Sequence, residues 1–138
     1  LLGACDGKWA SLLSDYLTMD AVEIFQGNIT AHELAKKYRR VFWNDVDRLN
    51  YDYYDLIIFG DVIEHMYIDK AQRVISYAKP RCKDMIIAVP WRYKQGAIYG
   101  NPYEYHIQDD LTPTIFEQRY PGFEPIWQNE QYAYFHKK

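Results

Sequence analysis

The stretch Tyr54-Asp55-Leu56-Ile57-Ile58-Phe59-Gly60-Asp61-Val62-Ile63-Glu64-His65-Met66 constrains the fold more than any other. It opens as the near-continuous apolar run that a strand buried on both faces requires. The run breaks at Gly60, and two acids and a histidine follow at Asp61, Glu64 and His65. Open parallel α/β sheets bind ligands just beyond the carboxyl ends of their strands, so these ionisable groups stand where a ligand sits. The same residues also suit a strand followed by a solvated helix start, because acids near a helix N-terminus are favoured by its dipole.

A parallel sheet needs helices between its strands, and the rest of the chain supplies them. Leu1-Leu2 reads as the end of a first strand, truncated in length, running into the small-residue turn Gly3-Ala4-Cys5-Asp6-Gly7. Trp9, Leu12, Leu13, Tyr16 and Leu17 then recur at the spacing of one helix face. Residues 21–25 form a short strand broken by Gly27-Asn28, and Thr30-Ala31-His32-Glu33 has the capping-box form that opens a helix to about Tyr38. Residues 40–43 are a third strand. After the central stretch, Asp69 caps a helix carrying Ala71, Val74, Ile75 and Ala78 on one side, which Pro80 stops. Residues 85–89 are a fifth strand. The connection from Trp91 to Asp110 is long enough to be functional. Thr112-Pro113 starts a helix, and residues 123–127 and 132–136 close the chain as an antiparallel hairpin. The alternation predicts a single domain over residues 1–138, an α/β doubly wound, mostly parallel sheet.

Composition excludes several classes of function. The net charge of -3 gives no global field for nucleic acid, so DNA is not an expected partner. No apolar run approaches the roughly 18 residues of a membrane span. Cys5 and Cys82 have no metal-ligand spacing and make no disulfide framework, which points to a reducing, cytoplasmic compartment.

In this order of elements, four features resemble the class I S-adenosylmethionine-dependent methyltransferases. They are the Gly3–Gly7 turn, Glu23 closing strand two, Asp45 after strand three, and Gly60-Asp61-Val62-Ile63-Glu64-His65 after strand four. The resemblance covers essentially the whole chain and implies a Rossmann-like, seven-stranded sheet whose last strand is antiparallel. It implies S-adenosyl-L-methionine as cofactor and methyl transfer as reaction. The cofactor residues it implies are Gly3, Ala4, Cys5 and Gly7 in the turn, Glu23 with Ile24, Asp45 with Val46, and Gly60. Glu23 would accept from the ribose hydroxyls; Asp45 would accept from the adenine amino group and the Val46 backbone would donate to the ring. Each also has a plain alternative, an acid at a strand end and an ordinary turn aspartate.

Two departures from the family's G-x-G-x-G turn stand out. Cys5 replaces the middle glycine, and a leucine stands where an acid is usual in strand one. They leave open a second reading, a catalytically degenerate relative that serves as a cofactor sensor or partner-binding scaffold. A dinucleotide fingerprint fits less well, because G-x-G-x-x-G counted from Gly3 meets Cys5 and Lys8.

The acceptor is read by exclusion. Base-directed methyltransferases carry an N-P-P-Y-like motif after strand four, and this chain has Gly60-Asp61-Val62-Ile63 there. Asn101-Pro102-Tyr103 has a partial likeness but follows strand five. An oxygen of a small molecule or glycan is therefore the expected acceptor. Trp91, Tyr93, Tyr99, Tyr103 and Tyr105 in the long loop can stack on such a substrate or pack on one another. Asp61, His65 and His106 are the candidate bases for the acceptor proton. Asp61, Glu64 and His65 with His106 are also similar to the E-x-x-E-H plus distant histidine of metal-dependent O-methyltransferases. That likeness implies a borderline divalent ion on these four residues; the alternative is a D-V-x-E-H turn whose acids cap the next helix.

Overall fold

The computed structural model describes residues 1–98 and 100–138. Tyr99, one of the loop tyrosines above, lies outside the described residues. The chain divides into two compact units, Leu1–Asn50 and Tyr51–Lys138.

In the first unit, β1 (Asp20–Glu23) pairs in parallel with β2 (Arg40–Trp43), with Glu23 opposite Trp43. Leu2 makes a single parallel bridge to Val22, the short first strand that the sequence predicts. Helix α1 spans Lys8–Leu13. It is shorter than its apolar periodicity predicts, and the expected face is not a buried one. Trp9 and Ala10 are buried, whereas Leu12 and Tyr16 are 63% and 81% exposed. The regular helix ends at Leu13, and only the turn bonds from Tyr16 and Leu17 back to the Leu13 carbonyl follow it, which leave both side chains outside the core. The predicted capping box also fails. Helix α2 (Gln26–Ala31) runs through Gly27-Asn28, and Thr30 lies inside it with its hydroxyl 3.4 Å from the Gln26 carbonyl. Thr30 therefore lies inside a helix and not ahead of one, and its hydroxyl donates back to the preceding turn. Glu33 then takes a left-handed turn (φ 49°) into α3 (Leu34–Lys37) and forms an ion pair with Lys36. Leu34 packs with Ala4, Ala10, Ala21 and Tyr38 as this unit's core.

In the second unit, β3 (Tyr54–Gly60) pairs in parallel with β4 (Cys82–Pro90), β4 pairs antiparallel with β6 (Tyr132–Lys137), and β6 pairs antiparallel with β5 (Phe123–Gln128). The four-stranded order is β3-β4-β6-β5. The sheet is thus mixed, with the predicted terminal hairpin in place. Residues Ile57–Gly60 and Ile87–Val89 are buried without alternation, as the unbroken apolar runs require. Helix α4 (Ile68–Ala78) buries Ala71, Val74, Ile75 and Ala78, the predicted stripe; Asp69 is not its cap, since Tyr67 holds the N-cap position, and lies in the first turn, 3.1 Å from Arg73. Helix α5 (Pro113–Arg119) starts as the sequence predicts, the Thr112 hydroxyl accepting from the Ile115 amide at 3.2 Å. It seats Phe116 flat on Phe135 of β6, ring centroids 3.8 Å apart.

Candidate functional site

Two sets of the sequence-selected residues come together, one in each unit. In the first, the Gly3–Gly7 turn is fixed by Glu23. This side chain is 5% exposed and accepts from the backbone amide of Cys5 at 2.7 Å and from that of Phe25 at 2.9 Å. The carboxylate therefore joins the turn to the end of β1. Cys5 sits at φ 43°, in the left-handed region that a glycine adopts without a steric cost. Gly7, at φ 82°, takes a left-handed conformation that strains any other residue, and a Cβ there would also make the Lys37 side chain shift. The Nζ of Lys37 donates to the Asp6 carbonyl at 2.8 Å and closes the turn from outside. Ala4 is buried, and Cys5 is exposed and in no disulfide.

Asp45 stands after β2 within a turn of its own. Its carboxylate accepts from the Asp47 amide at 3.1 Å, and its amide donates to the Asn44 side chain at 2.9 Å. That is the behaviour of an Asx turn. The indole of Trp43 donates to the Ile24 carbonyl at 3.0 Å, so the ends of β1 and β2 are tied beside Glu23. Val46 is half-buried.

The second set follows β3. Gly60 is buried, and Asp61 turns the chain at φ 56° into a short 3-10 turn, Ile63–His65. Glu64, the most buried acid here at 1% exposure, lies within that turn. Its carbonyl accepts from the amides of Ile107 and Gln108, at 2.8 and 2.9 Å, and so brings the long loop back onto the strand end. Gln108 locks this contact: its buried amide donates to the carbonyls of Ile63 at 2.7 Å and Met66 at 3.1 Å. The Tyr120 hydroxyl and Arg119 then donate to its oxygen. His106 is thereby set beside His65, ring centroids 4.6 Å apart and edge to face.

Both imidazoles are oriented by main-chain carbonyls. Nδ1 of His106 lies 2.7 Å from the Tyr93 carbonyl, and Nδ1 of His65 lies 3.2 Å from that of Tyr105. A carbonyl only accepts, so Nδ1 carries the proton in each ring and Nε2 is the lone-pair nitrogen. Burial holds both pKa values below the usual histidine value of 6.5, which keeps the rings neutral near pH 7. One ligand atom from each of Glu64, His65 and His106 lies within 4.8 Å of the others. Asp61 is not part of this group. It accepts a hydrogen bond from the Tyr132 hydroxyl at the start of β6. Burial, and then the adjacent Asp61 charge, push the Tyr132 phenol up, so it stays a donor.

Sequence reasoning therefore named Glu64, His65 and His106, and missed Tyr132 and Gln108. No local spacing marks either one: a glutamine in a polar connection and a tyrosine in a chain with 14 of them carry no signal. Among the loop aromatics, the Tyr93 ring meets His106 edge-on at 5.4 Å, while Tyr103 and Tyr105 are exposed.

No family model matches this sequence, and no curated protein does. Solved structures do. The Burkholderia thailandensis 1,6-didemethyltoxoflavin-N1-methyltransferase, with S-adenosylhomocysteine bound, aligns over 99% of this chain and 68% of its own, at 17% identity and a TM-score of 0.70. The bifunctional kinase-methyltransferase WbdD aligns over 99% of this chain at 17% identity and a TM-score of 0.67, but this chain spans only 33% of that one. Magnesium protoporphyrin IX methyltransferase from Synechocystis, with S-adenosylmethionine bound, aligns over 98% of this chain and 66% of its own, at 14% identity and a TM-score of 0.62. At such identities the likeness is one of fold. The chain has the class I S-adenosylmethionine-dependent methyltransferase fold. No helix among the described residues is long and apolar enough to cross a membrane.

Proposed function

We propose that this chain is an S-adenosylmethionine-dependent methyltransferase acting on an oxygen of a small-molecule or glycan acceptor. The observation that carries the reading is Glu23, a buried carboxylate at the end of β1 that joins the glycine turn, through the Cys5 amide, to the strand end, through the Phe25 amide. This fits a ribose, because a carboxylate has about four acceptor sites and two amides leave the others for hydroxyl donors. The cofactor, when bound, supplies a methyl group on a positively charged sulfur. The Gly3–Gly7 turn and Glu23 bind and orient it, joined by Ile24, Asp45 and Val46. Alignment does most of the work in such an in-line displacement. A neutral imidazole, His65 or His106, takes the acceptor proton on Nε2. One domain over residues 1–138, seven strands and a cytoplasmic setting belong to the same reading.

A divalent ion on Glu64, His65 and His106 is the finer part of this proposal. The donor set fits one: two neutral imidazoles with Nδ1 already held by a carbonyl, and a buried carboxylate. Two nitrogens and an oxygen suit manganese, iron, cobalt or zinc better than magnesium. Bound there, the ion would lower the pKa of an acceptor hydroxyl.

The second reading, a non-catalytic scaffold, is favoured by one feature. Cys5 puts a side chain at a left-handed position that glycine fills at less cost. Calorimetric titration with S-adenosylmethionine and S-adenosylhomocysteine separates the two. Saturable binding of either, weakened at least about tenfold by Glu23→Ala, supports the methyltransferase; no heat and no thermal shift with both supports the scaffold.

A further inference from the structure

Asp61 is the acid that sequence spacing puts with Glu64, His65 and His106, yet it stands apart from their cluster. Two features account for this. Its backbone is held at φ 56° with its amide 3.3 Å from the Ala88 carbonyl, and its carboxylate is engaged by the Tyr132 hydroxyl. It remains near: its negative charge acts on both His65 and His106. Tyr132 comes from a distant part of the chain and is fixed in turn. It is paired with Pro90 in the β4–β6 ladder, its amide donates to the Asn129 side chain at 2.8 Å, and its ring meets Tyr134 edge-on at 5.2 Å.

We infer that Tyr132 is a positioning residue that holds Asp61 out of the Glu64–His65–His106 cluster, so that the cluster offers three protein ligands to a divalent ion and keeps its remaining positions open. This rests on the metal reading above. The chemistry explains why such a device matters. Three protein ligands leave room for a water or an acceptor oxygen, whereas a second carboxylate as fourth ligand would close the site and add a negative charge. A phenol hydrogen bond to Asp61 competes with metal ligation by the same carboxylate, because each uses its oxygen lone pairs.

The test is cobalt(II) titration followed by visible absorption and calorimetry, on the wild-type chain and five variants. Tyr132→Phe retains the ring and loses only the hydroxyl. It is expected to raise cobalt affinity about 10–100-fold, the range over which outer-shell changes move metal binding, and to change the ligand-field bands. Asp61→Ala alone is expected to leave the ligand-field bands as in the wild type, because Asp61 is not a ligand there. Tyr132→Phe with Asp61→Ala is expected to restore the wild-type spectrum. A Tyr132→Phe spectrum and affinity equal to wild type overturn the inference while leaving the three-residue site intact. So does a change that persists in the double variant. Failure of the wild type to bind cobalt, or binding that survives Glu64→Ala and His106→Ala, overturns the metal reading and this inference with it. Matching far-UV circular dichroism across the set certifies that folded proteins are compared.

Discussion

Glu23 and Glu64 are both buried glutamates at or just beyond the end of a parallel strand, at 5% and 1% exposure, and the chain uses them in opposite ways. Glu23 gives its carboxylate to its own surroundings, accepting the amides of Cys5 and Phe25. Glu64 gives its backbone to the surroundings, its carbonyl accepting the amides of Ile107 and Gln108, and its side chain lies with two imidazoles. One acid builds its turn with the side chain; the other is built into its turn and has its side chain among ligand-type neighbours. A buried carboxylate is thus informative only once its partners are known. Amide partners mark a carboxylate that holds the backbone, and imidazole partners mark one placed among metal-ligating types of side chain.

The comparison breaks first, and by the largest effect, at Glu23. Glu23→Ala removes two amide bonds to a carboxylate, about 1.5 kcal/mol or more each. It should lower the melting temperature without any ligand by roughly 10 °C. An unchanged melting temperature would mean that the turn holds itself, and Glu23 would then be a ligand group only. Glu64→Gln should do the reverse. Stability is expected to move by no more than about 1 kcal/mol, while cobalt affinity falls at least about tenfold; a large thermal loss with intact metal binding would make Glu64 a purely structural acid.

A smaller effect is expected at Cys5. With φ at 43°, Cys5→Gly should stabilise the chain by about 0.5–1 kcal/mol, seen as a higher urea midpoint. Destabilisation would show that the thiol side chain makes contacts worth more than the backbone strain.

The gentlest test is pH. Burial holds His65 and His106 below 6.5, so the unfolded chain takes up protons first as pH falls. Their contribution is complete above about pH 6.5 and is lost as pH drops through the lowered folded values. Urea midpoints at about pH 7.5 and about pH 5.5 should therefore differ less when both histidines are replaced by Asn. An equal pH slope in the variant would place the titration elsewhere.

Much of the fold was legible because it is written in short-range pattern. The unbroken run Ile57–Phe59 could only be a two-face-buried strand, and Ala71, Val74, Ile75 and Ala78 could only share a helix face. The terminal hairpin and the Thr112 cap were equally local. Where two local signals competed, pattern failed. Thr30 bonds back to Gln26 within α2 instead of capping, and α1 ends before Tyr16 and Leu17 can reach the core.

By itself, then, the sequence determined which residues are adjacent on a turn: Glu64 beside His65, and Gly3 to Gly7 as a bend. Only the tertiary structure decided the partners. Gln108 joins a loop to residues more than 40 positions away, which is what brings His106 to His65. Tyr132 reaches 71 positions back to Asp61 and takes it from the acids with which its spacing groups it. The physical reason is that helix and strand periods specify faces over a few residues. A hydrogen bond between side chains depends instead on where the sheet order β3-β4-β6-β5 carries its two ends.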